Sequence, residues 1–518
     1  RASDAEGSTT KEGSPVIGNE SRGEKKAENR DVPPTQDTTE TTVHGVFAWG
    51  SNTGRVAAPD HPEETVIKVP TRIPWFDGKV LRDVKLDRHF GAAIDINGDL
   101  IQWGTAYKQD IMTPEVTLQG RNLDQLCLSK NRILARSRDG RVYSVPVSHQ
   151  DQEEGSKPTE TSWIFWNWIS PIAYREIKPK LETGERVTSI AGGLEHALLL
   201  TSKGRVFSMA SASDVYPSRG QLGVPGLTWL NRPEGPFDAP HELTSLRDSQ
   251  AIDIACGDYH SLVLDKEGRV FSWGDNTQGQ LGFNTNVASS IVNRPSLLPT
   301  QKLYTGPLQQ LKGITQIAAG GSNSYIAADS VAVEAPGQPE WVPRRRSEKV
   351  TADTFAFGSG ILGALGNNRW THMQSTPTKI PSLSSLFEYD EQSKTTFPIR
   401  PRRLSVGATH AAVTMPDMSV WTHGSRQSIR AADVLFWGGN EHYQLGTGKR
   451  NNVSCPAPIA PLDQAAELQR AQKSAVAEQG LCFRATGPKR MPVQLHNGPG
   501  YVVCRQHVEC GRHVTCVF

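Results

Sequence analysis

One hairpin recurs along this chain, and it limits the possible folds more than any other feature. Its clearest copy spans residues 251–283, AIDIACGDYHSLVLDKEGRVFSWGDNTQGQLGF. Residues 252–256 read as a short strand, leading through Gly257 into a second run at 261–264. Lys266-Glu267-Gly268 turns the chain, and residues 269–273 return it. Apolar and polar residues alternate through Arg269-Val270-Phe271-Ser272-Trp273, the period of a half-buried strand. Near-copies occur at 84–104, 123–146 and 187–210. Split copies pair 314–329 with 354–358, and 402–417 with 434–439. The chain opens on a lone second half at 46–50 and ends on a lone first half at 508–518.

Seven first halves and seven second halves result, and the leftovers at the two ends complete each other. A strand-rich unit that cannot cover its own apolar face must stack or close on its neighbours. Radial closure protects the sheet edges. The expected fold class is therefore all-β: a seven-bladed β-propeller whose N- and C-terminal strands share one blade, with insertions on its rims.

The repeat carries Gly-Asp-x-His-Ser at 257–261, Gly-Arg-Val-Phe-x-Trp-Gly at 268–274 and Asn-x-x-Gly-Gln-Leu-Gly at 276–282. Related tetrads recur at 220–223, 363–366 and 443–446. These motifs resemble the repeat of the regulator of chromosome condensation family across most of residues 43–518. Longer matches at 216–223, 225–229 and 436–448 resemble its fungal mitochondrial branch. The resemblance implies association with the mitochondrial inner membrane and a non-enzymatic scaffold function in assembly of ubiquinol–cytochrome c reductase. Its alternatives are guanine-nucleotide exchange on a small GTPase, or mitochondrial ribosome biogenesis through RNA contact. Exchange would work through differential binding of the nucleotide-free state.

The organisation expected is a disordered segment at 1–42 followed by the propeller at 43–518. Residues 1–42 lack aromatics and have too little apolar surface to offset the entropy of ordering. This segment has six basic and nine acidic residues, unlike the basic tail of chromatin-bound relatives, so no DNA partner is expected. The whole chain, with 56 Lys+Arg against 54 Asp+Glu, makes no global case for nucleic acid. Arg1 in place of an initiator Met is expected of a processed product or a fragment. No apolar run is long enough for a spanning helix. Seven scattered Cys with no Cys-x-x-Cys pair argue against a disulfide framework.

Residues at the Trp273 position of the repeat are Trp49, Trp103, Val145, Met209, Trp273, Phe357 and Trp437. The long steps between them mark insertions near 147–180, 331–353, 418–433 and 465–501. Residues 162–174, SWIFWNWISPIAY, contain three Trp. They read either as an outer blade strand or as an aromatic knob for a protein partner or a membrane interface, with Trp163, Phe165, Trp166 and Trp168 as its contact residues. Residues 331–351 contain three prolines and then Arg344, Arg345 and Arg346, a second candidate contact. Its strand pattern is too weak for a wedge into a GTPase. Another basic cluster is Arg400, Arg402 and Arg403. Both basic clusters read as solvated charge or as contacts to RNA, an acidic protein or anionic lipid. The stretches 418–432 and 465–501 break the repeat, as genuine loops or as gene-model errors.

His196, His260 and His410 occupy one repeat position, with Arg132 and Asn323 at its counterparts. Pseudo-symmetry spreads such residues around a ring, where they cannot converge on a metal. They are expected to be structural, bonded to neighbouring backbone. Glu195, Asp258 and Asp275 read as turn acids, and Gly-Gly at 192–193, 320–321 and 438–439 as turn chemistry. No nucleophile, phosphate-loop or paired-carboxylate motif is present, so neither catalysis, a metal nor a cofactor is expected.

Overall fold

In the computed structural model the described residues are 45–161, 167–285, 290–304, 309–332, 349–390, 393–416, 418–420, 429–459 and 507–518, with short strands between 485 and 504. Alternating apolar residues and tight glycine turns build seven antiparallel blades, six of them four-stranded sheets and one part of a seven-stranded sheet. Numbered along the chain, the inner strands of blades 1 to 6 are Leu81–Leu86, Leu123–Leu128, Val187–Gly192, Ala251–Cys256, Gln309–Gly320 and Arg403–Val406. Blade 7 runs outward through Val508–Cys510, Val514–Val517, Val46–Ser51 and Val66–Ile73. Each inner strand touches the inner strands of both neighbours, so the ring closes. The two chain ends meet in register, Phe47 opposite Val517 and Trp49 opposite Thr515. The repeat had implied this shared blade.

The core lies between blades. Trp49, Trp103, Val145, Met209, Trp273, Phe357 and Trp437 are fully buried. One apolar cluster joins Leu198 and Val206 of blade 3 to Ile254, Val263 and Trp273 of blade 4, and similar clusters occupy other seams. Each blade thus lays its second and third strands against its neighbour. Burial of one such large side chain stabilises by about 1.5–3 kcal/mol.

Two expectations change. Residues 167–169 are not the outer strand of blade 2, which is Arg175–Ile177. Instead Asn167–Ile169 pairs with Thr159–Thr161 in a separate hairpin. The insertion after 331 starts further out than expected: strands Asn323–Ala332 and Val350–Ser359 of blade 5 run on together as a long antiparallel stem, and residues 333–348 lie outside the described residues. Blade 6 has a matching extension, Met418–Val420 against Ile429–Ala431.

Candidate functional site

Hydrogen bonds at the blade seams decide which residues are structural. Gln221 precedes blade 4, and its carbonyl accepts from Trp273 Nε1 (2.9 Å) and Ser261 Oγ (3.4 Å), both of blade 4. Gln444 repeats this at the closing seam, accepting from Trp49 Nε1 (2.9 Å) and Thr515 Oγ1 (2.6 Å). The Gly-Gln-Leu-Gly loops are therefore clamps that present a carbonyl to the next blade. Trp103 Nε1 to the Val56 carbonyl (3.0 Å) and Trp437 Nε1 to the Ala364 carbonyl (2.8 Å) are reduced versions.

The repeated histidines complete these clamps. His196 Nε2 lies 2.9 Å from Ser261 Oγ, His260 Nε2 2.8 Å from Ser324 Oγ, and His410 Nε2 2.7 Å from Thr515 Oγ1. Each hydroxyl spends its proton on a carbonyl, so the imidazole Nε2–H donates to it. The His partners are hydroxyls of the next blade rather than backbone, because the intervening Ser or Thr reaches the carbonyl first. Burial pushes His196 down to about 3, His260 to about 4 and His410 to about 3. All three are neutral structural groups. Close packing around them needs glycine: a Cβ on Gly257 would fall 2.1 Å from His260 Cε1. Gly192 and Gly193 likewise avoid contact with neighbouring blades, and neither has the left-handed φ of a turn glycine.

The inner strands enclose an axial cavity of about 450 Å³. Ionic links tie the C-terminal inner strand into it. Lys85 Nζ meets Glu509 Oε1 at 2.7 Å, and Arg403 Nη2 meets Glu509 Oε2 at 3.1 Å. Arg512 reaches across the axis to Asp258 Oδ1 (2.7 Å) while holding Asp87 Oδ2 (3.4 Å). Asp258 is therefore a cross-ring anchor rather than a turn acid. Asp275 both accepts from Thr277 N and pairs with Arg219 at 2.7 Å. Burial pushes the Cys127 thiol beside the cavity up to about 12, which suppresses thiolate chemistry there.

Arg400 is an exposed charge and Arg403 a half-buried one, and both are ion-paired. Arg400 forms a two-pronged pair with Asp329 (2.9 and 2.8 Å), and Arg403 bonds Glu509. Trp163, Phe165 and Trp166 lie outside the described residues, as do Arg344, Arg345 and Arg346. The backbone of Trp168 pairs with Glu160 in the 159–169 hairpin, whose last residue, Ile169, is 68% exposed. Residues 465–478, whose composition (AAELQRAQKSAVAE) suits a helix, also lie outside the described residues. Among the described residues, His61, Glu63 and Glu64 form an exposed group that brings possible metal ligands within 4.8 Å. No described helix is long and apolar enough to cross a membrane.

Sequence reasoning missed the helix His149–Glu154. Its signal was present: Ser148 precedes it and accepts from Asp151 N, the first half of a capping box. The exposure of Trp229, read only as part of the 225–229 match, and of its neighbour Leu230, 89% exposed, was not foreseen.

Two profiles described as "Regulator of chromosome condensation (RCC1) repeat" match the chain, one at residues 251–280 and one at 267–327 and 432–477. The Saccharomyces cerevisiae protein named "Protein FMP25, mitochondrial" is 26% identical over 80% of this chain. The human probable ubiquitin ligase HERC6 is 28% identical over 47% of it. The chain spans 65% of the length of the yeast relative and 18% of the ligase. In fold it is similar to human WBSCR16, with a TM-score of 0.56 at 19% identity, covering 91% of this chain and 98% of that one. Yeast RCC1 (Prp20) gives a TM-score of 0.53 at 15% identity, covering 97% and 96%. With its clamp loops and closing blade, the chain is a seven-bladed propeller that matches the regulator of chromosome condensation repeat at residues 251–327 and 432–477.

Proposed function

We propose that this chain is a non-enzymatic mitochondrial scaffold that acts at the inner membrane during assembly of ubiquinol–cytochrome c reductase. The observation that carries the reading is its similarity, over four-fifths of its length, to a relative named as mitochondrial. The clamps and axial ion pairs support it, because they assign the repeated His and Asp residues to holding the ring rather than to chemistry. The insertion of blade 2 is the docking element, through Trp163, Phe165, Trp166 and Trp168. Amphipathic indoles suit both protein interfaces and membrane surfaces. Arg344, Arg345 and Arg346, beyond the long stem of blade 5, supply a second contact to acidic protein or anionic lipid.

Guanine-nucleotide exchange has weaker support, because the likeness to yeast RCC1 is at 15% identity and extends to fold alone. The test is native-gel analysis of respiratory complexes in mitochondria depleted of this protein. Accumulated reductase intermediates and depleted mature complex are the expected result. A normal reductase alongside another defect, or none, would overturn the reading.

A further inference from the structure

The seam between blades 2 and 3 lacks the clamp that locks the seams between blades 3 and 4 and between blades 6 and 7. His, Ser and Trp of the full clamp are replaced there by Arg132, Ala197 and Met209. The clamp loop itself has moved. After strand Val142–Pro146 the chain forms helix His149–Glu154, which leans back onto blade 1. Gln152 Nε2 donates to Gln102 Oε1 (2.9 Å), and His149 N donates to the Tyr107 carbonyl (2.9 Å). The loop thus fills the preceding seam and vacates its own.

What remains is a cavity of about 600 Å³. It lies where other seams hold an extended segment of the chain. In blade 4, Ser272 Oγ donates to the Leu281 carbonyl of the clamp loop at 2.8 Å. The counterpart in blade 2 is Ser144, which lines the cavity. Ser144 is 2% exposed, and its hydroxyl has no partner among the described residues. Arg132 also lines the cavity and has no side-chain partner among the described residues. Ser144 and Arg132, both hydrogen-bond donors, thus line a space that the clamp loop leaves open. The walls add four carboxylates. Asp238 is taken by Arg175 (2.6 Å), and Glu154 accepts from Gln150 (3.0 Å). Asp151 and Asp214 have no side-chain partner among the described residues.

We infer that this vacated seam is a docking slot for an extended, lysine- or arginine-bearing segment of a protein partner. Backbone carbonyls of the segment take the place of the missing clamp loop on Ser144 and Arg132. Its cationic side chain meets Asp151 and Asp214. The inference rests on the scaffold reading, because the slot opens at the root of the same blade 2 insertion.

The test uses the full chain and two labelled peptides, Gly-Lys-Leu-Gly-Lys-Leu and Gly-Glu-Leu-Gly-Glu-Leu, read by fluorescence anisotropy. The basic peptide is expected to bind and the acidic one not. Asp151→Asn with Asp214→Asn should weaken binding by about tenfold, and raised salt should weaken it further. Both carboxylates are exposed, so the double variant is expected to fold. Ser144→Ala removes the buried donor and should weaken both salt-dependent and residual binding. Equal binding of both peptides, no binding, or unchanged affinity in the double variant would overturn the slot. Peptide binding without reductase components co-purifying would instead sink the scaffold reading and leave the slot standing.

Discussion

Mild acid should unfold this propeller through its three clamp histidines. In the fold they are neutral and buried, with values of about 3, 4 and 3. In the unfolded chain each titrates near 6.5. These are bases with depressed values, so the unfolded state takes up protons that the fold refuses. Their contribution to stability is complete above about pH 7 and is lost as pH falls from 6.5 toward 4. At pH 5 each unfolded imidazole is almost fully protonated, which costs the fold about 2 kcal/mol per residue, or about 6 kcal/mol for three. Asp253 works in the opposite direction, since burial pushes its carboxyl up to about 6. It returns about 1 kcal/mol over the same interval. His513, which burial also pushes down to about 4, adds about 2 kcal/mol, so the net loss of about 7 kcal/mol is comparable to the whole stability of many domains. Urea unfolding followed by tryptophan fluorescence at pH 7.5 and 5.0 measures it. His260→Asn, a change whose product already stands at the pseudo-symmetric position 323, should remove about a third of the pH dependence. Equal unfolding free energies at the two pH values, or an unchanged slope in the variant, would refute the assignment.

Three other perturbations have defined outcomes. Deleting residues 508–518 removes Val508, Val514 and Val517, each buried and worth about 1.5–3 kcal/mol. It should abolish cooperative unfolding, and a stable monomeric truncation would contradict the closure. Arg512→Met should cost about 2 kcal/mol by stranding Asp258 and Asp87. A double-mutant cycle with Asp258→Asn should show a coupling of about 1 kcal/mol, and additive losses would mean that the cross-ring pair contributes nothing. Replacing Trp163, Trp166 and Trp168 with Ser should release the partner while the melting temperature holds. A collapse in melting temperature would place those rings in the core.

The blades were legible because a fixed hairpin pattern survives every insertion. The shared blade followed from the unmatched halves at residues 46–50 and 508–518. The histidines were recognisable as structural from symmetry alone. Their partners were not, since Ser261 and Thr515 do nothing visible in sequence until a clamp carbonyl is placed beside them. Arg512 and Asp258 are 254 residues apart and meet only because the ring brings opposite blades to one axis. The vacated seam was hidden for another reason. Repeat alignment locates the insertion after Pro146, but only folding shows that its helix turns back toward blade 1 instead of onto blade 3. The partners of Arg400 and Arg403, Asp329 and Glu509, were hidden in the same way, because they lie far along the chain.

Gentle-detergent affinity purification of the tagged protein from mitochondria, read by mass spectrometry, tests the scaffold claim most directly. The account predicts enrichment of reductase subunits and their assembly factors, lost when Trp163, Trp166 and Trp168 are replaced. Recovery of a small GTPase or of ribosomal proteins, without reductase components, would contradict it.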